Sequence, residues 1–89
     1  MAINNPKPMH PGRVLAEIYM QELGLNQTRL AEKLGCAHRK INEIINGKRG
    51  ITPDFALDLE AVIGTKPDMW VAMQAAWDLY QAKQKRRVA

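Results

Sequence analysis

Cysteine occurs once in this 89-residue chain, so no intramolecular disulfide can staple it and no thiolate cluster can hold zinc. Histidine occurs twice, too few to complete a zinc site or, with Cys36, a nucleophile–base pair with an orienting third group. Paired carboxylates, a glycine-rich phosphate cradle and triad spacing are all missing. Each of these absences argues against an enzyme and against a cofactor or metal. No apolar run approaches the roughly 20 residues a membrane-spanning helix needs. The opening MAINNPKPMHPG lacks the apolar stretch of a secretory signal, so a cytoplasmic protein without membrane association is expected. What the chain does have is a 46% hydrophobic content at 25% charge, ordinary for one folded domain.

Acids are fewer than bases, nine against thirteen Lys and Arg, giving a net charge of +4. Their distribution says more than the total. Residues 1–53 carry eight Lys or Arg and four Glu, and residues 79–89 carry four bases and no acid. Between them, residues 54–78 hold five acids and one lysine. A basic surface for a polyanion is therefore separated from an acidic surface suited to something else.

Residues 1–10 hold two prolines and no periodicity, and read as a flexible arm. Pro11 then suits the first position of a helix, with His10 in a structural role just before it. Val14, Leu15, Ile18, Tyr19 and Leu23 recur at three- and four-residue steps and predict one apolar face, ending at Gly24. Asn26 caps a second helix, with Leu30, Ala31 and Leu34 inward and Gly35 at its end. Ile41, Ile44 and Ile45 mark a third, closed by Asn46-Gly47. Thr52-Pro53-Asp54 opens a fourth, stopped by Gly64, and Thr65-Lys66-Pro67-Asp68 opens a fifth with Met69, Trp70, Met73, Trp77 and Tyr80 on one stripe. The fold class is all-α with five helices. The expected divisions are an arm over 1–10, a domain over 11–82 that ends in a dimerisation helix, and a mobile basic tail over 83–89.

Helices two and three are short and joined by a glycine-containing turn, the pattern of a helix-turn-helix whose second helix enters the major groove. Ala31 is small enough to let the two helices cross closely. Ile41 and Ile44 fix helix three to the core, which leaves His38, Arg39, Asn42 and Glu43 directed elsewhere. From Arg39 to Arg49 the chain carries four bases against Glu43 alone, a footprint for phosphates.

The segments Gln27-Thr28-Arg29-Leu30-Ala31-Glu32-Lys33-Leu34-Gly35 and Ile41-Asn42-Glu43-Ile44-Ile45-Asn46-Gly47 resemble the Cro and phage-repressor (Xre) helix-turn-helix. His10-Pro11-Gly12, Arg49-Gly50-Ile51-Thr52-Pro53, and Gly64-Thr65-Lys66-Pro67-Asp68-Met69-Trp70 with Gln74 and Asp78-Leu79 resemble HigA-type antitoxins more narrowly. The resemblance implies a lambda-repressor-like domain that represses its own operon. It also implies neutralisation of a RelE/HigB-like toxin that cleaves mRNA. It assigns Gln27, with Thr28 beside it, to the DNA-facing start of helix two, where Gln27 also braces helix three. His38 and Arg39 fall at base-reading positions with Asn42, while Lys40, Asn46, Lys48 and Arg49 match backbone-contact positions. Ala37 departs from the pattern, standing where a Ser or Thr cap is usual.

A single reading helix covers only a few base pairs, so a homodimer on a palindromic double-stranded operator is expected. Met73, Trp77 and Tyr80 exceed what so small a core requires and are its candidate interface. For the toxin, which is expected to be basic, the acidic 54–68 stretch and the arm are candidate surfaces. The alternative within the family is a free-standing repressor without a toxin. A small ribonuclease would need an acid and a base beyond His10 and His38, and a helical adaptor leaves the basic segment without a use.

Overall fold

The computed structural model describes residues 7–88, and among them five helices and no strand. Helix α1 covers residues 11–23, α2 Gln27–Leu34, α3 His38–Ile45, α4 Pro53–Ile63 and α5 Pro67–Val88. The helix starts follow the side chains that can cap them. The His10 Nδ1 accepts the Gly12 N–H at 2.9 Å, just ahead of Pro11. The Asn26 Oδ1 accepts from the Arg29 N–H at 2.8 Å, and the Thr52 Oγ1 from the Phe55 N–H at 3.1 Å. Helix α3 has Ala37 as its cap residue with no side-chain bond, yet begins directly at His38.

Helix α1 departs from the expected pattern. It is α-helical over Pro11–Val14 and Gln21–Leu23, but Leu15–Met20 forms a π-helical stretch with its wider i→i+5 repeat. Leu15 and Met20, five residues apart, are both buried, whereas Ile18 and Leu23 are exposed. At the ~100° per residue of an ideal α-helix, positions five apart diverge by about 140°. The π stretch reduces that divergence, so of the face read from the three- and four-residue steps Leu15 is buried and Val14 and Tyr19 pack on the core, while Ile18 and Leu23 turn outward.

The core gathers Leu15 and Met20 of α1, Leu30 and Ala31 of α2, Ile41 and Ile44 of α3, and Phe55 and Leu59 of α4. Trp70 of α5 closes it, fully buried, with its indole N–H donated to the Thr65 Oγ1 at 2.8 Å. Tyr19 meets Trp70 edge-on at 5.4 Å between ring centroids.

One expectation about α5 needs correction. The basic segment from Lys83 to Arg87 is not set apart from the helix; α5 runs through it to Val88. Nothing between Tyr80 and Val88 breaks a helix, and Lys85, Arg86 and Arg87 in the last turn complement its dipole. Met73, Trp77 and Tyr80, the residues expected at a dimer interface, are each half-buried in the single chain. Met73 packs on the core, and Trp77 stands edge-on to His10 at 5.2 Å. Lys7 lies over Trp77, and Tyr80 lies beside it at 6.4 Å. The large apolar side chains exposed on α5 are Val71 and Leu79, and Leu57 of α4 is exposed as well. Of the expected arm, residues 7–10 lead into α1 and His10 is buried; residues 1–6 lie outside the described residues, as does Ala89. None of the helices is long and apolar enough to cross a membrane, among the described residues.

Candidate nucleic-acid interface

Helix α2 ends on Gly35, whose φ of 67° is the left-handed conformation that residues with a Cβ rarely adopt. The Cys36 N–H then bonds the Ala31 carbonyl and the Gly35 N–H the Glu32 carbonyl, at 3.0 and 3.2 Å. This paired closure reverses the chain within three residues and launches α3 across α2. Ala31 at the crossing is buried, and Ile41 and Ile44 are fully buried beneath α3. Seated this way, α3 turns His38, Arg39, Asn42 and Asn46 to solvent.

The outward residues are tied to one another. The Asn42 Nδ2 donates to the Gln27 Oε1 at 3.1 Å, so Gln27 braces the reading helix from the start of α2. The Asn46 Nδ2 donates to the Asn42 main-chain carbonyl at 2.8 Å, closing the C-terminal end of α3. Thr28 is exposed on the first turn of α2. Gly47, at φ 74°, turns the chain back, and the Lys48 N–H bonds the Glu43 carbonyl at 2.8 Å, which leaves the Lys48 side chain exposed.

Glu43 lies at the centre of the charged group. Its Oε2 accepts from the Arg39 Nε at 3.3 Å. Its Oε1 accepts from both the Nε and the Nη2 of Arg49, at 3.0 and 2.8 Å. The Arg49 hydrogen bond holds the Glu43 carboxyl below the usual carboxylate range against the opposing effect of burial, with the charge of Arg49 and the hydrogen bond and charge of Arg39 adding to it. The loop that follows is anchored from the other side by α5. The buried Ile51 donates its N–H to the Gln74 Oε1 at 2.8 Å, and the Gln74 Nε2 donates to Asp78 at 2.9 Å.

Of the nine residues expected to face DNA, Gln27, Asn42 and Asn46 are linked by hydrogen bonds and Arg39 and Arg49 meet at Glu43, while Thr28, His38 and Lys48 are exposed on α2, α3 and the loop after it. Lys40 is placed differently. Its position on α3 is half-buried, and its Nζ lies 4.8 Å from the centroid of the Phe55 ring, where the cation meets the ring's negative face. The sequence places Glu43 on the side of α3 away from the core and as the one acid among four bases, but does not show that it joins Arg39 to Arg49. Its spacing of four from Arg39 is a visible signal for an ion pair, but its hold on Arg49 depends on the turn at Gly47. Away from this surface, burial lowers the pKa of His10, opposed by the charge of Asp78. Among the described residues no group of three His, Cys, Asp or Glu could hold a metal ion.

A family profile described as helix-turn-helix matches residues 17–70. The chain is 39% identical to virulence-associated protein I of Dichelobacter nodosus over 84 residues, covering 94% of this chain and 78% of the relative. Among solved structures, the addiction module antidote protein of the HigA family from Coxiella burnetii superposes with a TM-score of 0.82 at 36% identity, over 90% of this chain and 87% of that one. The antitoxin GraA in complex with its operator superposes with a TM-score of 0.81 at 36% identity, over 94% and 85% of the two chains.

Proposed function

The chain belongs to the helix-turn-helix family in its Xre-type, HigA-like branch, and from that membership we propose that it is an antitoxin that represses its own operon. The observation that carries this reading is α3 itself. It is seated by Ile41 and Ile44, braced by Gln27, and presents His38, Arg39 and Asn42 on a basic surface. An eight-residue helix is about 12 Å long, close to the width of the major groove. The likeness to an antitoxin solved on its operator extends over nearly the whole chain, well beyond the two helices that would touch DNA.

In this mechanism Arg39 reads a guanine through two parallel hydrogen bonds, with His38 and Asn42 on neighbouring base edges. Thr28, Asn46, Lys48 and Arg49 hold phosphates and set the register of α3 in the groove. Gln27 supports the reading helix and Lys40 supports its packing. Two copies bind the two halves of an inverted repeat, about 34–36 Å apart. The second copy is met by the outward stripe of α5, Val71 and Leu79, rather than by Met73, Trp77 and Tyr80. A basic mRNA-cleaving toxin of the RelE/HigB class is the protein partner. Acidic residues on α4 and the start of α5, Asp54, Asp58 and Asp68, supply the complementary charge. The protein acts by binding rather than by catalysis.

The test has two arms. In the first, the purified chain is titrated against the duplex upstream of its own gene and against a random duplex of equal length. Preference for the upstream duplex, with a footprint on an inverted repeat, is the expected outcome; equal affinity would refute the repressor. In the second, the neighbouring small reading frame is expressed alone and with this chain. Growth arrest relieved by co-expression, with a co-purifying complex, is expected. A harmless neighbour would leave a repressor and remove the antitoxin.

A further inference from the structure

Glu43 is an acid in the middle of a surface otherwise suited to a polyanion, and its contacts are unequal. From Arg39 it takes the Nε alone, so both terminal nitrogens of that guanidinium stay free. Arg39 is 86% exposed, and its free edge is the one that pairs with the O6 and N7 of a guanine. From Arg49 the same carboxylate takes the Nε and one terminal nitrogen together. Its main-chain carbonyl accepts the Lys48 N–H as well, so Glu43 holds the turn after α3 by backbone and by side chain. The Glu43 side chain is 24% exposed, and both its carboxylate oxygens are engaged with the arginines.

Resting on the DNA-binding reading above, we propose that Glu43 is a positioning residue that sets sequence specificity. It fixes the guanidinium plane of Arg39 with the reading edge outward. It clamps Arg49 to α3, so that Arg49 meets a phosphate only in the register where α3 lies correctly in the groove. Its charge also opposes close approach by phosphates when no base contacts form. A surface without Glu43 carries two unconstrained arginines, binds any duplex more tightly, and discriminates less between duplexes. Affinity for random DNA and preference for the operator therefore move in opposite directions when this charge is removed.

The variant Glu43→Gln keeps the size of the side chain and one acceptor oxygen but loses the charge. Wild type and variant are titrated with the duplex upstream of the gene and with a random duplex, over a salt series. The proposal expects tighter binding of the random duplex and a log–log salt slope steeper by about 1 to 2, as freed arginines meet more phosphates. It expects the operator-to-random ratio to fall by roughly 5- to 100-fold, the discrimination one bidentate guanine contact supplies. In the double variant Arg39→Ala/Glu43→Gln the loss in ratio is smaller than the sum of the two single losses, because part of the effect of Glu43 on the ratio runs through Arg39. Glu43→Asp, with the charge kept, retains the shallower slope. Equal weakening on both duplexes with an unchanged slope would mean a purely structural role and overturn the proposal. Additive losses in the double variant would overturn it too. A wild-type protein without preference for any duplex removes the repressor reading itself, an outcome visible before the variants are compared.

Discussion

Gly12 lies directly against the main-chain carbonyl of Ile44: a Cβ at position 12 would overlap both the oxygen and the carbon of that group. Helix α1 therefore touches the reading helix backbone to backbone, and the His10-Pro11-Gly12 segment sets how deeply α3 sits.

Gly12→Ala is expected to destabilise the fold by about 1–3 kcal/mol, the usual cost of forcing atoms into a packed contact, despite alanine's better helix propensity. For a domain of this size each kcal/mol corresponds to about 4–8 °C in Tm. Urea denaturation measures the first and a thermal melt the second. Because Ile44 belongs to α3, operator affinity should fall as well; a stability loss with unchanged affinity would show that α3 keeps its place.

His10 couples this same junction to pH. Its Nδ1 accepts a hydrogen bond from Gly12, so the capping form is the neutral imidazole. Burial lowers its pKa below the ordinary value of about 6.5, with Asp78 pulling the other way. The unfolded chain thus binds a proton more readily than the folded one. Stability is complete above the ordinary value and is lost as pH falls from there through the lowered folded value. Melting temperatures across that acidic range should decline, and His10→Asn, which caps without titrating, should flatten the decline. Equal slopes in the two proteins would remove His10 as the cause.

Two lysines on or beside α3 should behave differently toward DNA. Lys48 is exposed, whereas Lys40 is half-buried with its charge over Phe55. Lys48→Ala should reduce the salt slope by about 0.9 per lost phosphate contact, or about 2 for a dimer, on specific and random duplexes alike. Lys40→Ala should leave the slope unchanged and lower Tm instead. A slope change for Lys40→Ala equal to that for Lys48→Ala would return Lys40 to the DNA surface.

The outward stripe of α5 and its inward aromatic face make opposite predictions. Leu79→Glu places a charge at a position 57% exposed in the single chain, so it should leave the fold intact and shift sedimentation from dimer to monomer. Trp77→Ala removes the ring that meets His10 and should cost about 2 kcal/mol, part of what full truncation of a buried aromatic costs, while the dimer persists. The reverse pattern would restore Met73, Trp77 and Tyr80 as the interface.

These cases mark which parts of the molecule were legible in its sequence. Helix starts at Pro11, Asn26 and Thr52 follow from side chains that bond to main-chain groups two or three residues away. Helix ends at Gly35 and Gly47 follow from a conformation one residue can adopt; both kinds of signal are local. The outward set on α3 was legible because three isoleucines fix the opposite face. What escaped depends on partners distant in the chain. The contact of Trp77 with His10 spans 67 positions and the seat of Lys40 over Phe55 spans 15, so neither shows in local spacing. The extension of α5 through its basic end is legible in the sequence, since no glycine or proline interrupts it.

The π-helical stretch of α1 has a consequence for how the chain can vary in length. Leu15–Met20 amounts to one additional residue within a helix, and everything before it is rotated relative to everything after it. On one side His10 and Gly12 are fitted to the reading helix; on the other, Tyr19 and Met20 are fitted to Trp70 and the core. Deleting a single residue between them would produce a more regular helix and a worse protein, because only one of the two fitted ends could keep its partner. A one-residue deletion here is therefore expected to cost the fold one of its two fitted ends, whereas substitution at the exposed Ile18 leaves both ends in place.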